Sequence, residues 1–223
     1  MIRILVVDDH TIVREGLKQI LGEEKDLVVS DEASNGQEAL QKIGKNAYDC
    51  VLLDISMPGR SGLEVLKDIK ALRPKLPVLI LSMHSEELYA IRALRAGASG
   101  YLTKASASEE LIGAIRKVAA GRKYVSTSLA EKLAFELDAD ASKLPHETLS
   151  DREYQVMIML ASGKAVKEIA DEVCLSVKTI STYRMRIMEK MNMKNNAELT
   201  LYAIQHRLIA YDEQASISDT IFF

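Results

Sequence analysis

Strand-like runs at residues 2–7, 27–30, 50–54, 78–82 and 100–104 alternate with segments of helical spacing. The helical spacing shows in Val13/Leu17/Ile20, Ala39/Leu40/Ile43, Leu63/Leu66/Ile69, Leu88/Ile91/Leu94 and Leu111/Ile115/Val118. No other property of the chain limits its fold so strongly. The runs "CVLL" and "VLIL" do not alternate with polar residues, so both faces of those strands are expected to be covered. Helical connections between such strands require a parallel sheet with helices on both sides. An α/β doubly wound, five-stranded parallel sheet over residues 1–125 is predicted. Gly22, Gly44, Gly97 and Gly121 are placed as left-handed helix ends.

The pattern changes after residue 125. A short helix followed by a polar, proline-bearing linker (about 138–147) is expected within 126–146. Residues 147–211 then read as all-helical, with helices near 151–161, 166–173, 177–191 and 197–206. Ser150 and Glu153 form a capping-box pattern at the first of these, and Gly163 marks its stop. The tail, 212–223, has no usable periodicity.

Composition removes several function classes. Of 223 residues 48% are apolar and 27% charged, as in soluble globular chains. No apolar run reaches the length of a membrane span, and no secretory n-region precedes "MIRILVVDD". Cys50 and Cys174 lie far apart and are both expected to be buried thiols, which points to a reducing cytoplasm. A net charge of −3 argues against indiscriminate nucleic-acid binding by the whole chain. Within 176–196, however, five basic residues (Lys178, Arg184, Arg186, Lys190, Lys194) face a single acid, Glu189.

In an open parallel sheet, ligands bind beyond the carboxyl ends of the strands, at the point where strand order reverses. With the order 2-1-3-4-5, Asp8, Asp9, Asp54, Ser82 and Lys104 all converge there. Three carboxylates so close repel one another unless a cation joins them. Carboxylates, a carbonyl and waters are the hard oxygen set that Mg²⁺ accepts. A lysine and a hydroxyl beside them complete a phosphoryl-transfer geometry. Asp54 is the candidate nucleophile, since "LLDISMPGRSG" puts it at a strand end before a Pro-Gly turn. That turn is expected to expose its side chain while the Ser56 carbonyl faces the metal. An aspartate-nucleophile phosphatase of the haloacid dehalogenase type would need a second acid where Ser56 stands. A regulator acting through protein contacts alone would not need the acidic site. His10 and His84 are read as local caps or packing groups.

"DD" at 8–9, "DISMPG" at 54–59, "LS" at 81–82 and "GYLTK" at 100–104 resemble the receiver domain of two-component response regulators. The resemblance implies that Asp54 accepts a phosphoryl group from a phosphohistidine on a sensor histidine kinase. It also implies direct Mg²⁺ ligation by Asp9, Asp54 and the Ser56 carbonyl, with Asp8 acting through water. Lys104 would bridge to the phosphoryl group and Ser82 would swing in to bond it. Tyr101 matches the family's switch aromatic, expected to move inward with Ser82. Such a receiver is no enzyme beyond its own phosphorylation and dephosphorylation.

"KEIADEVCLSVKTISTYRMRIMEKM" reads as helix, turn, helix, with Ser176 as N-cap of the second helix. Ile180, Tyr183, Ile187 and Met191 should be core. The opposite arc suits a major groove, although a plain helical interaction module would present a similar polar face. The segment from "LSDREYQ" to "NNAEL" resembles the LuxR-type helix-turn-helix, and the two modules together resemble NarL/FixJ-type transcriptional regulators. The resemblance implies sequence-specific binding of double-stranded DNA through Lys178, Thr179, Ser181, Thr182, Met185, Arg186 and Lys190. It also implies a homodimer, paired through the last helix, on activation or on DNA. Tyr183 stands where the family has histidine, and Met185 and Asn196 where it is often basic, which implies weaker phosphate clamping or an unusual operator.

Overall fold

The computed structural model describes residues 1–84, 86–126, 129–131 and 144–209, residue 87 by its backbone alone. Two compact units emerge, Met1–Ser142 and Lys143–Phe223.

In the first unit, strands β1 (Ile2–Val7), β2 (Leu27–Ala33), β3 (Cys50–Asp54), β4 (Val78–Ser82) and β5 (Gly100–Thr103) are all parallel. Their order is β2-β1-β3-β4-β5, as predicted. Helices α1 (Thr11–Gly22), α2 (Gly36–Lys45), α3 (Gly62–Leu72), α4 (Glu86–Arg95) and α5 (Ser108–Ala119) connect and follow them. The runs without alternation, β3 and β4, are buried at every position. One core layer joins Val6, Leu52, Leu79 and Leu102 of the sheet to Leu21, Ile115 and Val118 of the flanking helices. Strand β2 runs three residues past its expected end at Ser30, since an edge strand with half-exposed Asp31 and Glu32 gives little hydrophobic signal.

Two helix-end expectations need correction. Gly97 and Gly121 have positive φ, 102° and 78°, but Gly22 and Gly44 lie inside their helices. Helix α1 stops at Glu23 in the right-handed region, and α2 passes directly into extended Asn46. Neither end makes the abrupt reversal that glycine permits.

The second unit begins with a 3₁₀ turn, Pro145–Thr148, so the expected linker already has structure at its end. Residues 129–131 of the predicted short helix are helical; the rest of that helix, most of the linker and the tail from 210 lie outside the described residues. Helices α6 (Asp151–Ala161), α7 (Val166–Glu172), α8 (Val177–Met191) and α9 (Asn196–Gln205) follow. Ser150 and Glu153 close the capping box reciprocally, at 3.3 and 2.8 Å, and Gly163 has φ 86°. Helix α6 buries Val156, Met157 and Leu160, which share a core with Ile169, Ile180, Ile187 and Leu199. Among the described residues no helix is long and apolar enough to cross a membrane.

Candidate phosphoryl-acceptor site and nucleic-acid interface

The carboxyl ends of β1, β3 and β5 bring Asp8, Asp54 and Lys104 into contact. The Lys104 Nζ donates to Asp8 Oδ2 at 2.6 Å and to Asp54 Oδ2 at 2.8 Å. Asp54 is not exposed as expected, because Asp8 and Lys104 close over it and its side chain is 1% accessible. Burial raises the Asp54 pKa, against the pull of Lys104, and leaves a carboxylate that is more basic than usual. Burial also opposes the charge on Lys104, but Asp54 and Asp8 outweigh it and hold the ammonium above its ordinary range. The lysine therefore stays protonated beside the acids at neutral pH.

Asp9 sits at the mouth, its side chain 23% accessible. Among the described residues its buried Oδ1 makes no hydrogen bond, although the His10 Nδ1 stands 3.2 Å away. His10, read from sequence as a cap or packing group, belongs to the cluster: its Nδ1 lies 3.2 Å from oxygens of both Asp8 and Asp9. Ligand atoms of Asp8, Asp9, His10 and Asp54 all lie within 4.8 Å of one another. Converging carboxylate oxygens, one of them Asp9 Oδ1 with no hydrogen bond and only the His10 ring beside it, fit a small divalent cation. The only sequence signal for His10 was its position next to the acid pair.

Two groups flank this site. The Ser82 Oγ accepts the His84 N–H at 3.1 Å. Tyr101 is fully buried, and its hydroxyl donates to the His84 carbonyl at 2.9 Å, so the ring is already inward in this structure. The Ser56 N–H donates to Asp54 Oδ1 at 3.1 Å, and its own buried hydroxyl makes no hydrogen bond among the described residues.

In the second unit, Ser176 caps α8 through the Thr179 N–H at 3.0 Å. Ile180, Ile187 and Met191 are buried as expected, whereas Tyr183 is only half-buried. On the outer face, Ser176, Lys178, Thr179, Thr182, Tyr183 and Arg186 line one concavity of about 340 Å³. Ser181 is exposed, and Met185 is 63% exposed. Lys190 is committed elsewhere, to Glu153 at 2.6 Å. Asn196 accepts from Arg184 Nε at 2.8 Å, a fixing of that arginine that the sequence did not suggest. Cys174 is not buried: it sits exposed in the turn before α8 with φ 52°.

Residues 4–116 match the response regulator receiver domain, and residues 147–203 match the bacterial regulatory proteins of the luxR family. The chain belongs to the NarL/FixJ-type response regulators. This response regulator is 39% identical over 209 residues to the response regulator UvrY of Escherichia coli strain K12, covering 93% of this chain and 96% of that one. It is 40% identical over 209 residues to the response regulator GacA of Pseudomonas protegens, covering 94% and 98%. Among solved structures it is similar to RcsB from Salmonella enterica serovar Typhimurium bound to promoter rprA with phosphomimetic BeF3⁻. There the TM-score is 0.63 at 25% identity, over 90% of this chain and 97% of that one. Like these relatives, the response regulator joins a receiver to a LuxR-type DNA-binding module and acts in transcription regulation.

Proposed function

We propose that Asp54 is the phosphoacceptor of this response regulator, loaded by a phosphohistidine of a sensor histidine kinase, and that the modification switches DNA binding by the second unit. The observation that carries this reading is the Lys104 ammonium, held 2.8 Å from the buried Asp54 and 2.6 Å from Asp8. One Asp54 oxygen attacks phosphorus, the P–N bond breaks, and the departing imidazole keeps the electron pair and takes up a proton. Lys104 then turns part of its hydrogen bonding from carboxylate to phosphoryl oxygen. Ser82 gives up the His84 N–H and donates its own O–H to the same group, while Tyr101 holds the inward position. Asp9, Asp54 and the Ser56 carbonyl are the proposed direct ligands of Mg²⁺, with Asp8 acting through water. When bound, Mg²⁺ supplies the charge that offsets the phosphoryl oxygens.

The receiver spans 1–125, a helix and linker 126–146, the DNA-binding domain 147–211 and a tail 212–223. Lys178, Thr179, Ser181, Thr182, Met185, Arg186 and Lys190 form the DNA-contacting set, of which Lys178, Thr179, Thr182 and Arg186 share one concavity. Short hydroxyl side chains read base edges there and the cations bind phosphates. Lys190 contributes only if it leaves Glu153. A homodimer forms through α9, where Leu201 is 57% exposed. The protein works in the cytoplasm and turns over no substrate besides its own phosphoryl group.

A small phosphodonor with Mg²⁺ should add the mass of one phosphoryl group to the wild type and none to Asp54→Ala. A persistent gain in that variant would overturn the assignment. Lys178→Ala and Thr182→Ala should each weaken binding to operator DNA about tenfold with the helical content unchanged. Unchanged affinity in both variants refutes the interface.

A further inference from the structure

At the end of the receiver sheet remote from Asp54, Lys70, Lys75, Arg122 and Lys123 line one cavity of about 430 Å³. Among the described residues no Asp or Glu lines it. Several other cations of this unit face acids: Arg14 and Lys18 pair with Glu32, Lys42 with Glu38, and Arg116 with Glu24 and Asp26. Among the described residues Lys70 and Lys123 bond only to carbonyls, Lys70 to that of Leu76 at 2.6 Å and Lys123 to that of Ala98 at 2.5 Å. An ammonium has three donors, so these contacts leave most of each group's capacity unused. Burial, and then the charge of Lys123, hold Lys70 below the usual lysine range.

Two further details shape the cavity. Ser99, 9% exposed, lines it, and among the described residues its hydroxyl makes no hydrogen bond. Its backbone is fixed on both sides, the N–H to Val78 and the carbonyl to Tyr124. Gly97 holds φ 102°, and a side chain there would press on the Lys70 stem at 3.2 Å. An adjoining groove of about 620 Å³ shares Pro74, Lys75, Pro77 and Gly121 with this cavity. Its walls are mainly apolar, with Ile43, Tyr48, Leu72 and Leu76.

We propose that this paired depression is a binding site for a small organic phosphate, with the phosphate among Lys70, Lys75, Arg122 and Lys123 and the apolar body along Tyr48 and Leu72. Ser99 donates to the anion, and the lone acid of the neighbouring groove, Asp49, keeps the charged end on the lysine side. The site is separate from the phosphoacceptor chemistry, since it lies at the amino ends of the strands.

Calorimetric titration of the full chain with ADP and with pyrophosphate, in EDTA and low salt, tests it. ADP should bind saturably, at least tenfold tighter than pyrophosphate, and both affinities should fall with added salt. Arg122→Gln with Lys75→Gln, both at exposed positions, should weaken each ligand at least tenfold with the melting temperature unchanged. Leu72→Gln should weaken ADP alone. No saturable binding, indifference to the Arg122/Lys75 pair, or equal affinity for the two ligands would each overturn the site.

Discussion

At the scale of single residues, environment rather than identity decides chemistry. Cys50 is fully buried, and burial pushes its thiol up to about 12. Cys174 is exposed in the turn before α8. A thiol reagent at pH 8 should therefore modify one cysteine in the native protein and two in denaturant, with the native adduct mapped to Cys174 by mass. The turn at "CLS" was legible in the sequence, but not that its Cys174 adopts a left-handed backbone and stays exposed. Asp54 was misjudged in the opposite sense. Its position at a strand end was legible, but its burial depends on Lys104, 50 residues away. Pairings that distant leave no local pattern.

At the scale of elements, the start of α3 is fused to the proposed phosphoacceptor, Asp54. A Cβ on Gly62 would stand 2.1 Å from the Asp54 carbonyl oxygen and 2.6 Å from the Ile55 Cα. Neither neighbour is a side chain that can rotate away. Gly62→Ala should thus cost about 3 kcal/mol, seen in denaturant unfolding, and slow phosphorylation by displacing Asp54. Ser61 closes a capping box on this same turn, so the sequence "RSGLE" serves the site as well as the helix.

The first turn of α6 shows another coupling. Burial would raise the Glu153 pKa, but hydrogen bonds from Lys190 and from Ser150 outweigh it and leave the carboxyl below its ordinary 4.5. A depressed folded-state pKa stabilises above the unfolded value and loses that contribution as pH falls through it. Glu153→Gln should destabilise the helical unit by about 1–2 kcal/mol at pH 7. The gap from wild type should shrink progressively below pH 4.5, as measured by urea melts. Strand order, the Ser150–Glu153 capping box and most helix bounds of the second unit were legible because period and cap chemistry are local. The edge strand β2 was read short because its outer half is polar.

At the scale of the whole molecule, each unit owns its core. The sheet layer closes on residues between Ile4 and Val118, and the helical unit closes on residues between Leu149 and Leu208. Fragments 1–125 and 147–211 should therefore fold separately. The first should keep Mg²⁺-dependent labelling at Asp54 and the second its DNA binding without phosphodonor. Collapse of either fragment, judged by circular dichroism, would show that its core is incomplete. The change from strand–helix alternation to unbroken helices marked this partition in the sequence.

The Lys104 bridge also bears on the order in which the chain is made. Asp8 emerges from the ribosome near the beginning and Asp54 midway, and both end up buried. The ammonium that neutralises them lies 96 residues after Asp8, on the far side of the last strand. A nascent chain that ends before β5 would have to bury two acids without their counter-charge. The receiver's interior is therefore expected to stay open during synthesis until its final strand is out, which ties completion of the fold to completion of the switch.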